Sequence, residues 1–124
     1  MTKRLLHNAQ VIDPEARTVS CGDIRIENGM ITQVSQSPLS ANPNEHAVDC
    51  HGKYLAPGII DIGVKVCEPG ERHKESFKSA GLAAAAGGIT TMVTRPDTTP
   101  AIDSPETLEF IARRANQATP VNVM

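Results

Sequence analysis

The sequence predicts an α/β chain in which a few short strands precede an alternating series of strands and helices. Two observations carry this. Asp23-Ile24-Arg25-Ile26 and Met30-Ile31-Thr32-Gln33-Val34 each alternate polar and apolar residues around Asn28-Gly29, and such runs flanking Asn-Gly are a strong hairpin signal. From residue 54 onward the order reads strand, helix, strand, helix, strand, which implies parallel βαβ units with right-handed crossovers. The expected division is a small β-rich unit over residues 1–53 and the βα units over 54–124.

The elements follow in order. Leu5 to Ile12 is apolar and β-branched enough for a strand, stopped by Asp13-Pro14. The hairpin comes next. Residues 35–46 are rich in Ser, Pro and Asn and carry no apolar pattern, so they form a loop. Ala47 to Cys50 is a short strand, and His51-Gly52-Lys53 a turn. Ile59 to Val66 is an apolar-rich strand and Glu68 to Glu71 a loop. A helix is expected from about His73 to Ala86, with Gly87-Gly88 as its stop. Ile89 to Thr94 is β-branched and reads as a strand. Asp97 to Asp103 is loop. Ser104 then caps a helix whose first position is Pro105, and whose buried stripe is expected to be Leu108, Ile111, Ala112 and Ala115. Pro120 to Met124 begins a third strand. Ala83 to Ala86 suits close helix packing on a sheet. A complete (β/α)8 domain takes roughly 250 residues, so a chain of 124 residues is expected to be a fragment of a longer protein.

Composition excludes several classes. Apolar residues make up 40% and charged residues 21%, and 12 basic against 14 acidic side chains leave a net charge of -2. There is no basic stripe, and the aromatics are Tyr54, Phe77 and Phe110. Nucleic-acid binding draws on clustered Lys/Arg and stacking rings, so no nucleic-acid partner is expected. No apolar run approaches the roughly 18–20 residues of a membrane span, and no secretory signal is evident after Met1. Cys21, Cys50 and Cys67 are odd in number and lack CxxC spacing, which favours free thiols and a reducing cytoplasm.

The strand after Tyr54 is where chemistry is expected. With a period of two, Ile60, Ile62, Val64 and Val66 fall on one face and Asp61, Gly63, Lys65 and Cys67 on the other. An acid, a glycine, a lysine and a thiol are unusual on a strand whose setting is normally apolar on both faces. In a βα-barrel, polar residues near a strand's C-terminal end line the active site. The plainer alternative is that Asp61 and Lys65 simply pair with each other, or that the strand is an exposed edge.

Ala56-Pro57-Gly58-Ile59-Ile60-Asp61 resembles the segment that opens the barrel in the amidohydrolase superfamily. Glu68 to Glu75 and Gly87 to Met92 resemble the dihydroorotases, and Arg95-Pro96-Asp97-Thr98-Thr99-Pro100 is similar to their Met-Pro-Asn-Thr-x-Pro loop. The N-terminal strands resemble the small β domain preceding that barrel. The likeness is collinear over essentially the whole chain. It implies the N-terminal portion of a metal-dependent-hydrolase TIM barrel, its first β-α-β-α-β preceded by a small β-rich domain.

The departures bear on function. The family pattern after the aspartate is His-x-His-x-Arg: two metal-binding imidazoles and an arginine that grips the substrate carboxylate. Here Gly63, Lys65 and Cys67 stand at those places. Glycine offers no ligand, a protonated lysine repels a cation, and a thiol cannot replace a forked guanidinium. Asp97 stands where the family has a substrate-contacting asparagine. No catalytic residue and no metal ligand is therefore assigned within the chain. Zinc enters only if a full-length protein supplies a lysine, two histidines and an aspartate from later strands, as the resemblance implies. Lys65 is expected to compensate charge, with Asp61 its nearest partner in sequence. Arg95 is expected to pair with Asp97 or Glu68, or else to take over the lost carboxylate grip.

Other residues carry less. His7, His46, His51 and His73 show no metal-ligand spacing. His73 is expected to cap or hydrogen-bond locally, and Cys67 with His73 lacks a third, orienting group. The resemblance implies a dihydroorotase-like protein of pyrimidine biosynthesis, without catalysis, acting as a structural partner of aspartate carbamoyltransferase. A homo-oligomer is a further expected association, and no membrane partner is expected. The alternatives are an active cyclic amidohydrolase with a remodelled site and a truncated product without a function of its own.

Overall fold

A computed structural model describes residues 2–124. The chain divides into two compact units after Pro57. The first contains β1 (Lys3–Asp13), β2 (Thr18–Glu27), β3 (Met30–Ser35), β4 (His46–Asp49) and β5 (Tyr54–Leu55). Their sheet runs β3-β2-β1-β4, with β5 also on β1. The hairpin β2–β3 turns at Asn28 and Gly29, with φ of 51° and 80°. Two positive φ values in a two-residue loop give the turn whose twist matches the flanking strands. Strands β4 and β5 run parallel to β1. The unit therefore ends later than Lys53, because Tyr54–Leu55 pairs with Gln10 and Val11.

Leu5, Ala9 and Ile24 form the buried centre of this unit. Asp23 is buried beside them, and its carboxylate accepts from the Asn8 N–H at 2.9 Å and the Leu39 N–H at 2.7 Å. These bonds tie the irregular point of β1, where the register shifts between Leu6 and Ala9, to the long loop after β3. Arg25 fixes the same loop, with Nε 2.8 Å from Glu45 Oε1 and Nη2 2.8 Å from the Ser40 carbonyl.

The second unit contains β6 (Ile59–Val64), α1 (Phe77–Ala86), β7 (Ile89–Thr94), α2 (Pro105–Ala118) and β8 (Asn122–Val123). Its sheet has the order β6-β7-β8, and both pairings are parallel. This is the expected β-α-β-α-β series. Val66, Phe77, Met92, Ile111 and Ala115 are its buried centre, with Ala80 and Ala84 on the inner side of α1. Ala83, Ala85 and Ala86 face outward, so only part of the alanine run is packing surface. On α2 the buried positions are Ile111 and Ala115, whereas Leu108 and Ala112 are exposed. Among the described residues no helix is long and apolar enough to cross a membrane.

Helix α1 starts four residues later than His73. A turn comes first, in which the Glu71 N–H donates to the Cys67 carbonyl and the Lys74 N–H to the Glu71 carbonyl, both at 2.8 Å. Ser76 is then extended at φ -118° and caps the helix. Its hydroxyl accepts from the Ser79 N–H at 3.2 Å, and Ser79 Oγ accepts from the Ser76 N–H at 3.0 Å. The cap is therefore Ser76 and not His73. Replacing Ser76 with alanine is expected to cost about 1 kcal/mol, measured as a lowered urea midpoint of the full-length protein; an unchanged midpoint would mean the reciprocal cap contributes nothing. At the other end the Gly87 N–H donates to the Ala83 and Ala84 carbonyls, and Gly88 turns the chain at φ 78°. Ser104 and Pro105 open α2 as expected.

Candidate functional site

Strand β6 does not keep one alternation along its length. Ile62 is registered with Val93 and Val64 with Thr94, so two residues of β6 oppose one of β7 across Gly63. Gly63 sits at φ 89° with nothing within 4 Å of where a Cβ would stand. A bulge of this kind changes the phase of the side chains. Before the bulge both faces of β6, the edge strand, are exposed, Ile60 and Ile62 at 64% and 78%, whereas after it Val66 is 2% exposed and Val64 packs on the core. Asp61 is registered with the buried Met92. The expected shared face of Asp61, Gly63, Lys65 and Cys67 is therefore broken at Gly63. Strand β6 ends at Val64, so Lys65 and Cys67 lie in the segment after it.

The structure brings together Lys65, Arg95 and Asp97. Lys65 follows β6 and Arg95 follows β7, so both stand past the C-terminal ends of neighbouring parallel strands. The Arg95 N–H donates to the Val64 carbonyl at 2.9 Å, which fixes its backbone to the end of β6. Lys65 Nζ lies 3.2 Å and Arg95 Nη2 2.9 Å from the same oxygen, Asp97 Oδ2. All three side chains are partly open to solvent. The hydrogen bond from Lys65 holds the Asp97 carboxyl below its usual range; partial burial opposes this, and the charges of Arg95 and Lys65 add to it. Lys65 therefore pairs with Asp97 and not with Asp61, and Arg95 takes Asp97 and not Glu68. Among the described residues Asp61 makes no ion pair.

Glu68, just beyond, has a different role from the one its position in a loop suggests. It is 5% exposed. Oε2 accepts from the Phe77 N–H at 3.0 Å, at the first turn of α1, and Oε1 accepts from Arg114 Nε of α2 at 2.7 Å. Arg72 Nε stands 3.7 Å away. One carboxylate thus joins the loop after β6 to both helices. Arg114 was invisible to sequence reasoning, since it lies 46 positions away. Gly70, at φ 103°, brings the same loop against the Thr99 carbonyl of the loop after β7 so closely that a Cβ there would overlap it. The two loops that carry Lys65 and Asp97 are therefore in direct contact. Cys67 is a half-buried free thiol. Glu71 is ion-paired with Lys74.

This arrangement does not fit a divalent cation. Gly63 has no donor, and the Lys65 ammonium is itself a cation held by the nearest carboxylate. Among the described residues no three His, Cys, Asp or Glu side chains come together to hold a metal ion. A separate groove between α2 and β8, lined by Ala112, Asn116, Thr119, Val121 and Val123, includes none of the three charged residues.

Known proteins place this geometry in a family. A model of the dihydro-orotase-like family matches residues 52–124. A dihydroorotase of Wolbachia sp. subsp. Drosophila simulans is 40% identical over 116 residues, which is 94% of this chain and 26% of that protein. A dihydroorotase of Bacillus cytotoxicus is 36% identical over 120 residues, 97% of this chain and 27% of its own length. Among solved structures, the L-hydantoinase of Arthrobacter aurescens superposes with a TM-score of 0.86 at 22% identity, over 99% of this chain and 27% of that one. That likeness shows the fold. The D-hydantoinase of Thermus sp. superposes at 0.76 with 27% identity, over 98% and 26%. The chain thus spans about a quarter of the length of each of these proteins. The β-rich unit followed by parallel βα units is the architecture shared with them, and the match over residues 52–124 settles the family: the chain belongs to the dihydro-orotase-like proteins.

Proposed function

We propose that the chain is part of a dihydroorotase-like protein of pyrimidine biosynthesis that does not catalyse hydrolysis and serves as a structural partner of aspartate carbamoyltransferase. The observation that carries this reading is the Lys65–Asp97 ion pair at 3.2 Å. Opening a cyclic amide near neutral pH draws on a metal to generate hydroxide and polarise the carbonyl. Gly63 and Lys65 supply neither ligand, and no neighbouring side chain is placed as a substitute base with an orienting partner. A preserved scaffold with its chemistry replaced suits a role in assembly.

The test uses the full-length protein. Zinc is expected to be absent at stoichiometric level, dihydroorotate is expected to remain unhydrolysed, and aspartate carbamoyltransferase is expected to co-elute in size-exclusion chromatography. Turnover that a chelator abolishes would overturn the non-catalytic reading, and separate elution would overturn the partner role. The relatives named dihydroorotase, 35–40% identical, favour a second reading. In it the whole protein interconverts dihydroorotate and N-carbamoyl-aspartate, using a metal held by side chains outside this chain. The same assay decides between the two.

A further inference from the structure

The sheet of the first unit has two outer strands of different character. Strand β4 is short and carries His46 and Asp49. Strand β3 is uncharged, Met30-Ile31-Thr32-Gln33-Val34-Ser35, and among the described residues it pairs with β2 alone. Natural edge strands are blunted by lysine, proline or inward charge, because their free N–H and C=O groups template pairing with another chain. The one such device on β3 is a bulge: Gln33 is registered with Arg25 and Ile31 with Ile26, which leaves Thr32 as the extra residue. The bulge sets Ile31 and Val34 on one face, beside Ile26 and Ile24. Both are open to solvent, at 63% and 61%. The loop after β3 is drawn onto the opposite face by Asp23 and Arg25, which alternate with Ile24 and Ile26 along β2. The charges behind the edge are already matched, Arg25 with Glu45 and Glu27 with Lys3.

We propose that β3 is a docking edge for a second copy of this chain, the two strands pairing antiparallel about a two-fold axis so that Ile31 of each copy meets Val34 of the other. The strand itself selects this occupant. A two-fold contact requires a surface complementary to itself. In this register the two apolar pairs flank Thr32 and Gln33, and no charge stands against another. A charged partner gains nothing here, because the strand is neutral and the ion pairs behind it cancel. Main-chain hydrogen bonds along the added strand supply affinity, and the Ile31–Val34 contacts fix the register. This inference concerns the first unit and is independent of whether the protein hydrolyses anything.

Sedimentation equilibrium of the full-length protein, purified without aspartate carbamoyltransferase, tests it. A dimer is expected. Ile31→Lys and Val34→Glu, made singly, are each expected to weaken dimerisation by about tenfold or more, because each sets a charge against an apolar side chain twice across the two-fold. Combined in one chain, they set the ammonium of each copy against the carboxylate of the other. The double variant is therefore expected to recover dimerisation, weakening several-fold as salt rises from about 50 mM to about 300 mM. Both positions are exposed, so each variant is expected to keep the wild-type circular dichroism spectrum. A wild-type monomer overturns the inference. If Ile31→Lys also unfolds that monomer, a later segment of its own chain covers the edge. A dimer indifferent to both single variants is held by another surface and overturns the inference too. A double variant that stays as weak as the single ones overturns the pairing of Ile31 with Val34.

Discussion

Phe77→Ala is expected to destabilise the βα unit by about 3–5 kcal/mol, the range for deleting a buried ring. Phe77 is 1% exposed and lies in one cluster with Val66, Met92, Ile111 and Ala115. It is also the first residue of α1, so its ring fills the space between helix and sheet at the end where the site stands. The unit is small, and no second ring is in that cluster to close over the gap. Phe77→Leu retains much of the volume and is expected to cost clearly less. The urea midpoint of the full-length protein measures both. A loss under about 1 kcal/mol for Phe77→Ala would mean the ring is not the keystone of this cluster.

Much of the framework was legible because its signals are local. Asn28-Gly29 supplies two positive φ values within one turn. Ser104-Pro105 is a complete helix start in two residues. Gly87-Gly88 ends α1 wherever the helix begins. Alternation of strand and helix then leaves parallel pairing as the natural topology, and the β6-β7-β8 order follows it. The start of α1 was less legible. His73 to Glu75 has helix-compatible composition, but the turn from Cys67 to Lys74 uses those backbone groups first.

What sequence could not supply is whatever depends on distant partners. A period-two reading of Ile60 to Cys67 assumes an unbroken pleat. Gly63 breaks it, and a lone glycine in a strand does not announce whether it bulges. Ile60 and Ile62 are exposed on an edge strand while Val66, past the bulge, is buried. Likewise Asp61 is close to Lys65 in sequence, yet Lys65 pairs with Asp97. The actual pair spans 32 positions and exists because parallel strands carry Lys65 and Arg95 to adjacent ends. The residue types at the site were readable; their partners were set by topology. The exposed Leu108 is a similar case, since a helical stripe predicts which residues align but not how far the neighbouring layer extends.

The second large effect is expected at Glu68. Burial pushes its carboxyl up, but the hydrogen bonds from Arg114 and the Phe77 N–H, with the charges of Arg114 and Arg72, outweigh that and leave it below its ordinary value. A carboxyl lowered in the folded state contributes stability that is present above the unfolded value and is lost as pH falls through the folded one. The contribution is therefore full at neutral pH and disappears in acid, below the ordinary carboxylate range. Arg114→Ala removes the strongest partner and leaves a charged, 5% exposed carboxylate with Arg72 at 3.7 Å. Breaking such a pair costs about 3 kcal/mol at about pH 7. The variant loses the hydrogen bond and charge that lower the Glu68 carboxyl, so its penalty shrinks as acid protonates that group. The double variant Glu68→Gln/Arg114→Met keeps an acceptor for the Phe77 N–H, removes both charges, and is expected to recover most of the loss. Urea unfolding of the full-length protein at about pH 7 and about pH 4 reads all of this. A penalty for Arg114→Ala that is equal at both pH values would show that Arg114 acts through packing of its stem and not through the Glu68 charge. In that case the loop after β6, with Lys65 at its start, would not depend on this carboxylate for its position beside the loop that carries Asp97.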